Sequence, residues 1–288
     1  MKTGLVLEGG GMRGLFTAGV LDCLTDEHIT FDYCIGVSAG ACNAVSFLSG
    51  QRGRNKRINL TYALDKRYVS VSNFVKTKSM FGMDFIFCQI PDELDPFDYE
   101  ALEANPAQFV VGVTDAQTGQ PFYFDKSAIN HDSTVMRASS SIPVFSPPVA
   151  FRGGVYLDGG TTDPIPVKKA LADGCDRVLV VLTRERGYQK PPEGHRGIYK
   201  RALKKYPAMI TALDRRHEVY NKTLEQLSKL EQSGTALVLA PPEKVTLSRF
   251  EKDPAKLEKL YNQGYQEAKK TARQIAAFLS KETVEKGV

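Results

Sequence analysis

Short apolar runs alternate with longer amphipathic stretches along most of this 288-residue chain. The runs at 5–7, 33–37 and 177–183 have the length and the aliphatic content of buried strands. Helical patterns near 13–26 and 164–173 separate them, so strand and helix follow each other in turn. This alternation predicts an α/β fold with three layers, in which a mostly parallel central sheet carries helices on both faces.

Further segments extend this pattern toward the C-terminus. Residues 109–114 and 121–125 predict a pair of strands, and 155–157 predict another strand. Residues 236–240 predict one more strand, and 253–279 predict a long amphipathic helix. Functional side chains in such folds lie beyond the carboxyl ends of the strands, so the residues that follow strands are the first candidates.

The composition is that of an ordinary globular protein, with 42% hydrophobic and 25% charged residues. No run of about 18 apolar residues occurs, so the sequence predicts no membrane-spanning helix. The first residues pass directly into a predicted strand and lack the apolar segment and cleavage site of a signal peptide. We therefore expect a cytoplasmic protein with a single α/β domain over 1–288.

Cysteines and charge limit the kinds of site. The five cysteines are scattered through apolar segments and form no C-x-x-C pair, so we expect reduced side chains, no metal site and no cofactor. Residues 1–183 contain 16 Lys and Arg against 20 Asp and Glu, whereas 184–288 contain 22 against 13. The basic third predicts solvated helix faces or peripheral contact with an anionic membrane surface, and no nucleic acid partner is expected.

A glycine-rich loop follows the first predicted strand and opens the first predicted helix. Free N–H groups at a helix N-terminus converge on one point, where they bind a phosphate or the oxyanion of a tetrahedral intermediate. Arg13 adds a positive charge that orients the loop, attracts an anionic head group or pairs with a carboxylate. The candidate oxyanion residues are Gly9, Gly10, Gly11, Met12, Arg13 and Gly14.

The spacing Gly9-x-Gly11-x-x-Gly14 also fits a dinucleotide-binding loop. That interpretation expects an acidic residue at the end of the next strand, about 20 residues further on. Asp32 lies at this distance, but it begins the predicted strand rather than ending it, which places it at the wrong edge of the sheet. The sequence therefore favours an oxyanion loop over a nucleotide-binding loop.

Ser38 ends the second predicted strand inside the pentapeptide GVSAG. In a G-x-S-x-G elbow, the glycines at −2 and +2 relieve the crowding where the strand meets the helix, and the serine is left accessible. Gly36 and Gly40 occupy these positions, and small residues follow them. An ordinary turn would explain the glycines but not this context, so Ser38 is the candidate nucleophile.

Two kinds of residue could take the Ser38 proton. The chain order Ser38, Asp158, His195 would match a histidine-dependent α/β-hydrolase, but His195 lies in a polar Pro/Gly-rich loop and His217 in a charged stretch. Asp158 instead ends a predicted strand, and the pair Gly159-Gly160 follows it. A carboxylate there could accept the proton directly if the site raises its low pKa, although Asp-Gly-Gly also fits a plain turn.

Three motifs now stand in one order: the glycine loop at 9–14, the elbow at 36–40 and Asp-Gly-Gly at 158–160. Together they resemble the patatin-like phospholipase family in order, spacing and strand context. The run RASSSIP at 137–143 resembles a further family segment. The segment that begins at Asp163 also fits, although Asn often replaces this residue in the family.

The resemblance covers about residues 4–186, and the remaining 187–288 is similar to the C-terminal extension of a bacterial subgroup. It implies a patatin-like fold and a serine hydrolase of fatty-acyl esters, with phospholipids, lysophospholipids or neutral glycerides as substrates. It further implies Ser38 as nucleophile, Asp158 as base without a histidine, and an oxyanion hole in the glycine loop. Neither a metal nor a cofactor is implied.

Two other functions remain open from the residues alone. One is a histidine-dependent carboxylesterase that acts on soluble esters, and the other is a non-catalytic lipid-binding module. The segment 80–87, which is dense in Met and Phe, predicts either a flexible apolar wall for an acyl chain or an ordinary part of the core.

Overall fold

The computed structural model describes residues 1–280. Within them one eight-stranded sheet has the order β5-β6-β3-β2-β1-β7-β8, and β4 also pairs with β3. The strands are β1 (Thr3–Leu7), β2 (Tyr33–Val37), β3 (Gln108–Asp115), β4 (Pro121–Asp125), β5 (Val149–Phe151), β6 (Gly154–Asp158), β7 (Arg177–Val181) and β8 (Ala236–Leu239).

Five neighbouring strands, β3, β2, β1, β7 and β8, run parallel to one another. The antiparallel pairs lie toward one edge, where β4 and β6 both pair with β3 and β5 pairs with β6. The predicted strand pair at 109–114 and 121–125 is the β3–β4 hairpin. The prediction of a mostly parallel α/β sheet is therefore confirmed.

Helices surround the sheet. The α-helices are α1 (Leu15–Asp26), α2 (Ala39–Leu48), α3 (Arg54–Thr61), α4 (Val71–Thr77), α5 (Tyr99–Ala104), α6 (Thr134–Ser139), α7 (Val167–Ala172), α8 (Arg196–Ala202), α9 (Pro207–Gln232) and α10 (Pro254–Leu279). Among residues 1–280, no helix is both long and apolar enough to cross a bilayer.

Each face of the sheet has its own core, as the alternation along β1 illustrates. Leu5 and Leu7 pack in one cluster with residues of α1, α2 and α10. Val6 points the opposite way, into a second cluster that includes residues of α7 and α9. Because successive side chains of a strand point to opposite faces, this division produces the three layers.

The last described helix packs directly on the first. A Cβ atom at Gly19 of α1 would lie 2.0 Å from the carbonyl oxygen of Tyr261, and one at Gly264 of α10 would lie 2.0 Å from the carbonyl oxygen of Phe16. Glycine is therefore required on both sides of this contact. The Tyr261 hydroxyl also donates a hydrogen bond to the buried Asp22 carboxylate at 2.7 Å.

Two details differ from the sequence-based expectations. The helix predicted at 164–173 begins only at Val167, because Pro166 disfavours the helical conformation of the residue before it and itself stands at the N-cap. The segment 80–87 leads into a π-helix, Phe85–Leu94, with Pro91 inside it. Such widened turns are rare and occur mostly at functional sites.

Candidate active site

Ser38 stands on a strained turn between β2 and α2. Its backbone has φ 53° and ψ −126°, and positive φ is uncommon for a residue with a side chain. Its carbonyl oxygen accepts a hydrogen bond from the Cys42 N–H at 3.0 Å, which begins α2. This turn therefore has the strained strand-to-helix geometry expected of a nucleophile elbow.

The two glycines of the pentapeptide are required by close backbone contacts. A Cβ atom at Gly36 would lie 2.6 Å from the Ala41 nitrogen, and one at Gly40 would lie 2.5 Å from the Leu7 carbonyl oxygen. Real Cβ atoms do not approach backbone atoms so closely. The G-x-S-x-G spacing thus reflects how tightly β2, α2 and the end of β1 meet around Ser38.

Ser139 fixes the backbone of the elbow. The Ser38 N–H donates to the Ser139 hydroxyl oxygen at 2.8 Å, and that hydroxyl donates to the Gly112 carbonyl oxygen at 2.7 Å. Ser139 ends α6, inside the run at 137–143 that the resemblance singled out. Its position explains why a serine-rich segment far from the elbow in sequence belongs to the site.

Asp158 reaches Ser38 through the register of β3. Val37 pairs with Gly112 of β3, and Asp158 pairs with the next residue, Val113. The residue that ends β6 is thereby placed beside the residue that follows β2. The Gly160 N–H donates to the Asp158 carboxylate at 2.7 Å and fixes its orientation.

The surroundings of Asp158 shift its acidity. Burial raises the pKa of the Asp158 carboxyl above its ordinary value of 3.8. The Ser38 hydroxyl, as a hydrogen-bonding partner, and the positive charges of Arg216 and Arg249 act in the opposite direction. The net rise supplies the condition that the sequence analysis set for a carboxylate base: it is more basic than an exposed aspartate.

The backbone N–H groups of the glycine loop divide into used and free donors. The Gly9 N–H donates to the Pro164 carbonyl oxygen at 3.4 Å, and the Met12 N–H donates to the Arg249 carbonyl oxygen at 3.2 Å. The Arg13 N–H closes a turn onto the Gly10 carbonyl oxygen at 3.3 Å.

Two donors remain free. The N–H groups of Gly10 and Gly11 find no acceptor anywhere in residues 1–280. Gly11 has φ 57°, and the backbone of Arg249 packs where its Cβ would stand, so glycine is required there. A Cβ atom at Gly9 would lie 3.3 Å from that of Ser38, and one at Gly14 would lie 3.0 Å from that of Ala39. The loop thus packs along the elbow.

Residues beyond 186 form hydrogen bonds beside the glycine loop and within the Asp-Gly-Gly motif. The Tyr220 hydroxyl donates to the buried Glu8 carboxylate at 2.8 Å, immediately before the glycine loop. The Arg216 Nε donates to the Gly160 carbonyl oxygen at 2.7 Å, inside the Asp-Gly-Gly motif. The sequence analysis did not identify Tyr220, Arg216 or Arg249 as site residues. The excess of positive charge in the C-terminal third was the one feature that pointed to the two arginines.

Two cavities meet at Ser38. The apolar cavity, of about 160 Å³, extends from Ser38 along α2 and is walled by aliphatic, methionine and aromatic side chains. Its lining includes Cys42, Val45, Ile58, Tyr68, Phe81, Met83, Ile86, Phe87 and Met136. The Met/Phe-rich segment therefore forms part of a cavity wall, and Phe85 and Phe87 within it are also buried in the core.

The basic cavity, of about 250 Å³, lies on the other side of Ser38. Ser38, Gly11 and Ile142 line both cavities, whereas Asp158 and Gly10 face only the basic one. Three arginines line it, from the glycine loop, from α9 and from the segment before α10. They are Arg13, Arg216 and Arg249.

The histidines are placed differently from the carboxylate. His195 lines the basic cavity, and the other three line neither cavity. His217 has a buried Nδ1 without a hydrogen-bond partner in the described chain. The His131 ring packs against Tyr99. Among residues 1–280, no group of three or more His, Cys, Asp or Glu side chains is arranged to hold a metal ion.

Two family models match the chain. The model described as patatin-like phospholipase matches residues 5–171, which is more than half of the chain. A second model, described as a domain of unknown function (DUF6363), matches residues 206–280. The second region contains Arg216 and Tyr220 of α9 and Arg249 of the segment before α10, which bond to the sequence motifs or to the residue beside them.

Individual proteins are also similar. YjjU of Escherichia coli is 34% identical over 188 residues, which cover 63% of this chain and 52% of that protein. Lysophospholipase NTE1 of Candida albicans is 28% identical over 189 residues, which cover 62% of this chain but 13% of that protein. Among solved structures, VipD from Legionella pneumophila aligns with a TM-score of 0.47 and 15% identity, over 95% of this chain and 67% of that chain.

Proposed function

This chain belongs to the patatin-like phospholipase family, and from that premise we propose that it is a serine acyl hydrolase that cleaves fatty-acyl esters with Ser38 and Asp158. The observation that carries the proposal is one point in the structure. There a strained serine, a buried carboxylate and two free N–H donors line one cavity, and the serine also lines an apolar cavity. Acyl transfer needs these parts together.

The first half of the reaction forms an acyl-enzyme. The Ser38 Oγ attacks the ester carbonyl carbon while Asp158 takes the hydroxyl proton. The carbonyl oxygen becomes an oxyanion that accepts hydrogen bonds from Gly10 and Gly11. The tetrahedral intermediate then collapses, the bond to the alcohol oxygen breaks, and Asp158 returns its proton to that oxygen.

The second half releases the acid. Asp158 deprotonates a water molecule, which attacks the carbonyl carbon of acyl-Ser38 through the same oxyanion site. The second intermediate collapses to the free fatty acid, and the proton returns to Ser38 Oγ. The same carboxylate thus works as base and then acid in each half, without a metal or cofactor.

The apolar cavity supports a lipid substrate. Its wall is continuous from Ser38 along α2, so an acyl chain can lie there with its carbonyl carbon at Ser38. Several curated relatives carry the name lysophospholipase, which fits a substrate with one long acyl chain. We take fatty-acyl lipids, rather than soluble esters, as the substrate class.

We also propose that the motif-bearing part, about 4–186, and the extension from 187 to 288 form one domain. The close contact of α1 with α10 and the bonds of Tyr220 and Arg216 to the catalytic motifs support this organisation. The last eight residues lie outside the described part of the chain.

A peripheral membrane contact is a further part of the proposal. The segment around α4 exposes three apolar side chains, Leu64, Val71 and Val75, next to exposed basic ones. Tyr68 and Phe81, on either side of α4, line the apolar cavity. The basic side chains of this face are Lys66, Arg67, Lys76 and Lys78. Apolar anchors flanked by lysines suit an anionic lipid surface.

Vesicle sedimentation tests this face. The wild type is expected to bind vesicles containing phosphatidylglycerol, and Val71→Asp with Val75→Asp is expected to reduce binding, because the carboxylates oppose both insertion and the surface charge. Labelling of Ser38 by a soluble probe should be unchanged in this variant. Equal binding of wild type and variant would reject the face.

The hydrolase itself is tested with a fluorophosphonate, which forms a covalent adduct with an activated serine. We expect an adduct at Ser38, located by peptide mass spectrometry, that is absent in Ser38→Ala and strongly slowed in Asp158→Asn. No adduct in a protein shown to be folded would reject the hydrolase and favour a lipid-binding module.

A histidine-dependent esterase is the second candidate, because His195 lines the basic cavity. Labelling and ester hydrolysis in His195→Ala and His217→Ala separate the two. We expect both variants to react at nearly the wild-type rate. A loss in His195→Ala as large as that in Asp158→Asn would replace the two-residue mechanism by one that includes the histidine.

A further inference from the structure

Two of the three arginines at the basic cavity form no direct ion pair. Neither the Arg13 nor the Arg249 guanidinium forms an ion pair or a side-chain hydrogen bond with any group in residues 1–280. The Arg13 Nε is also buried without an acceptor. Both side chains are partly buried, and guanidinium groups withdrawn from water are mostly paired, so two without a direct ion pair at the same cavity are unusual.

The third arginine is held in place. Arg216 donates to the Gly160 carbonyl oxygen and forms a 2.7 Å ion pair with Glu193, which also lines the cavity. The cavity wall therefore carries three arginines against two carboxylates, those of Glu193 and Asp158. A positive excess remains even when both are ionised.

This arrangement costs free energy in the empty protein. Burial lowers the pKa of Arg249, and repulsion from Arg216 and Arg184 lowers it further, while the carboxylates of Glu193 and Asp158 offset only part of this. Burial likewise lowers the pKa of Arg13 to about 10. Taking a charge out of water without a directly paired counter-ion is unfavourable, so an anion bound to these arginines would recover part of this cost.

The position of the basic cavity relative to Ser38 indicates which part of a substrate would carry the anionic group. If the acyl chain occupies the apolar cavity, the ester carbonyl lies at Ser38 and the alcohol part extends into the basic cavity. Arg249 lies on that side, with its carbonyl oxygen bonded to the glycine loop and its side chain at the cavity wall. A guanidinium binds phosphate or carboxylate through two parallel hydrogen bonds.

We propose that Arg249 binds a negatively charged group, a phosphate or a carboxylate, on the alcohol part of the substrate. Arg249 is then a specificity-determining residue, and the region 206–280, matched by the model of unknown function, supplies it to the site. This inference rests on the proposed hydrolase activity. It separates anionic acyl lipids from neutral glycerides as preferred substrates.

The test compares two substrates with the same acyl chain, monoacylglycerol phosphate and monoacylglycerol, each below its micelle concentration. Arg249→Gln is expected to lower kcat/KM for the phosphate ester about 10- to 100-fold more than for the neutral ester, which is the usual contribution of a charge-assisted hydrogen bond. Inorganic phosphate in the monoacylglycerol assay distinguishes a free anion: inhibition of the wild type that Arg249→Gln abolishes would show that Arg249 binds the anion itself.

Two further variants control for structure and charge. Arg215→Gln removes the same charge from an exposed side chain of α9 that is paired with Glu218, and it should change kcat/KM for neither substrate by more than about twofold. Arg249→Lys keeps the charge but loses the two parallel bonds, so it should show a smaller selective loss. It also serves if Arg249→Gln does not fold, as judged by circular dichroism.

Equal losses on both substrates would overturn the inference, because Arg249 would then act only through the glycine loop. A wild type that prefers the neutral ester, with no selective effect of Arg249→Gln, would overturn it as well. A folded wild type that hydrolyses neither ester and takes no label at Ser38 would reject the hydrolase instead. The two failures are therefore distinguishable.

Discussion

The two cavities that meet at Ser38 differ in the charged side chains that line them. The apolar cavity is lined by residues from 11 to 142, and most of its surface comes from aliphatic and aromatic groups. The basic cavity draws on residues from 9 to 249, and it carries three arginines and both carboxylates of the site. Arg54, which is paired with Asp95, is the one charged side chain among the described residues that lines the apolar cavity. Ser38 therefore lies between a cavity with one paired charge and a cavity with five charged side chains.

The difference teaches where each kind of specificity is encoded. Recognition of an acyl chain needs only volume and apolar surface, which neighbouring helices in one part of the chain provide. Recognition of a charged group needs a few side chains at defined points, and here they come from parts of the chain far apart in sequence. The predictions below concern Asp158, the apolar cavity and the basic cavity in turn, and they test whether the two cavities recognise different parts of a substrate.

The largest effect is expected for a substitution of Asp158, the proposed base. Asp158→Asn removes the base but keeps an oxygen that can accept from the Gly160 N–H. We expect kcat/KM to fall about 10³-fold, within the range for general-base catalysis, and by the same factor for neutral and anionic esters. Steady-state kinetics on the two monoacyl esters measures it.

The stability of this variant provides its control. Because the pKa of Asp158 is raised in the folded protein, its ionised form destabilises the fold, and this cost is absent below about pH 3.8, the ordinary carboxyl value. The cost grows as pH rises through the folded pKa. Asp158→Asn should therefore unfold at a higher temperature than the wild type at neutral pH, and a lower one would contradict the assignment.

The apolar cavity alone is addressed by Val45→Phe. Val45 lies on α2, seven residues and about 10 Å along the helix axis from Ser38, and it lines the cavity. A larger ring there should obstruct long acyl chains, with an expected loss of about tenfold for a long-chain ester relative to a short one. Rates of hydrolysis of nitrophenyl esters with different acyl-chain lengths measure the ratio of long-chain to short-chain activity. An unchanged ratio would show that the acyl chain does not bind in this cavity.

The smallest effect concerns pH and the charged wall. Asp158 must be ionised to act as base, so kcat/KM should fall as pH is lowered through its raised pKa. Arg216 lowers this pKa, and Arg216→Gln should therefore move the acid limb of the pH profile to higher pH. Arg215→Gln, with its exposed side chain, should leave the limb in place. A shift of the acid limb to lower pH would contradict the inference that the charge of Arg216 lowers the pKa of Asp158.

Local sequence predicted the sheet and the motif positions because these depend on short-range patterns. The strand at Tyr33–Val37 and the elbow after it follow from neighbouring residues, and the crowding at Gly36 and Gly40 confirms the physical reason for the glycines. The short helices between 54 and 104 were not predicted, because with lengths of 8, 7 and 6 residues they are too short for a helical period to be recognised.

The partners of the motifs could not be predicted for a different reason. The bond from Ser139 to the elbow spans 101 positions, and that from Tyr220 to Glu8 spans 212. No local pattern in the chain encodes such pairings, which arise only when the sheet brings the strand ends together. An arginine in a charged helix, such as Arg216, has the same sequence context as any solvated one.

The contact of α1 with α10 at Gly19 and Gly264 constrains how such proteins can diverge and be recombined. A methyl group on either glycine would collide with the backbone of the other helix, so a change in one must be matched by a shift in its partner. A chimera that exchanges the C-terminal region between relatives, in order to transplant head-group preference, must therefore take both helices from one parent.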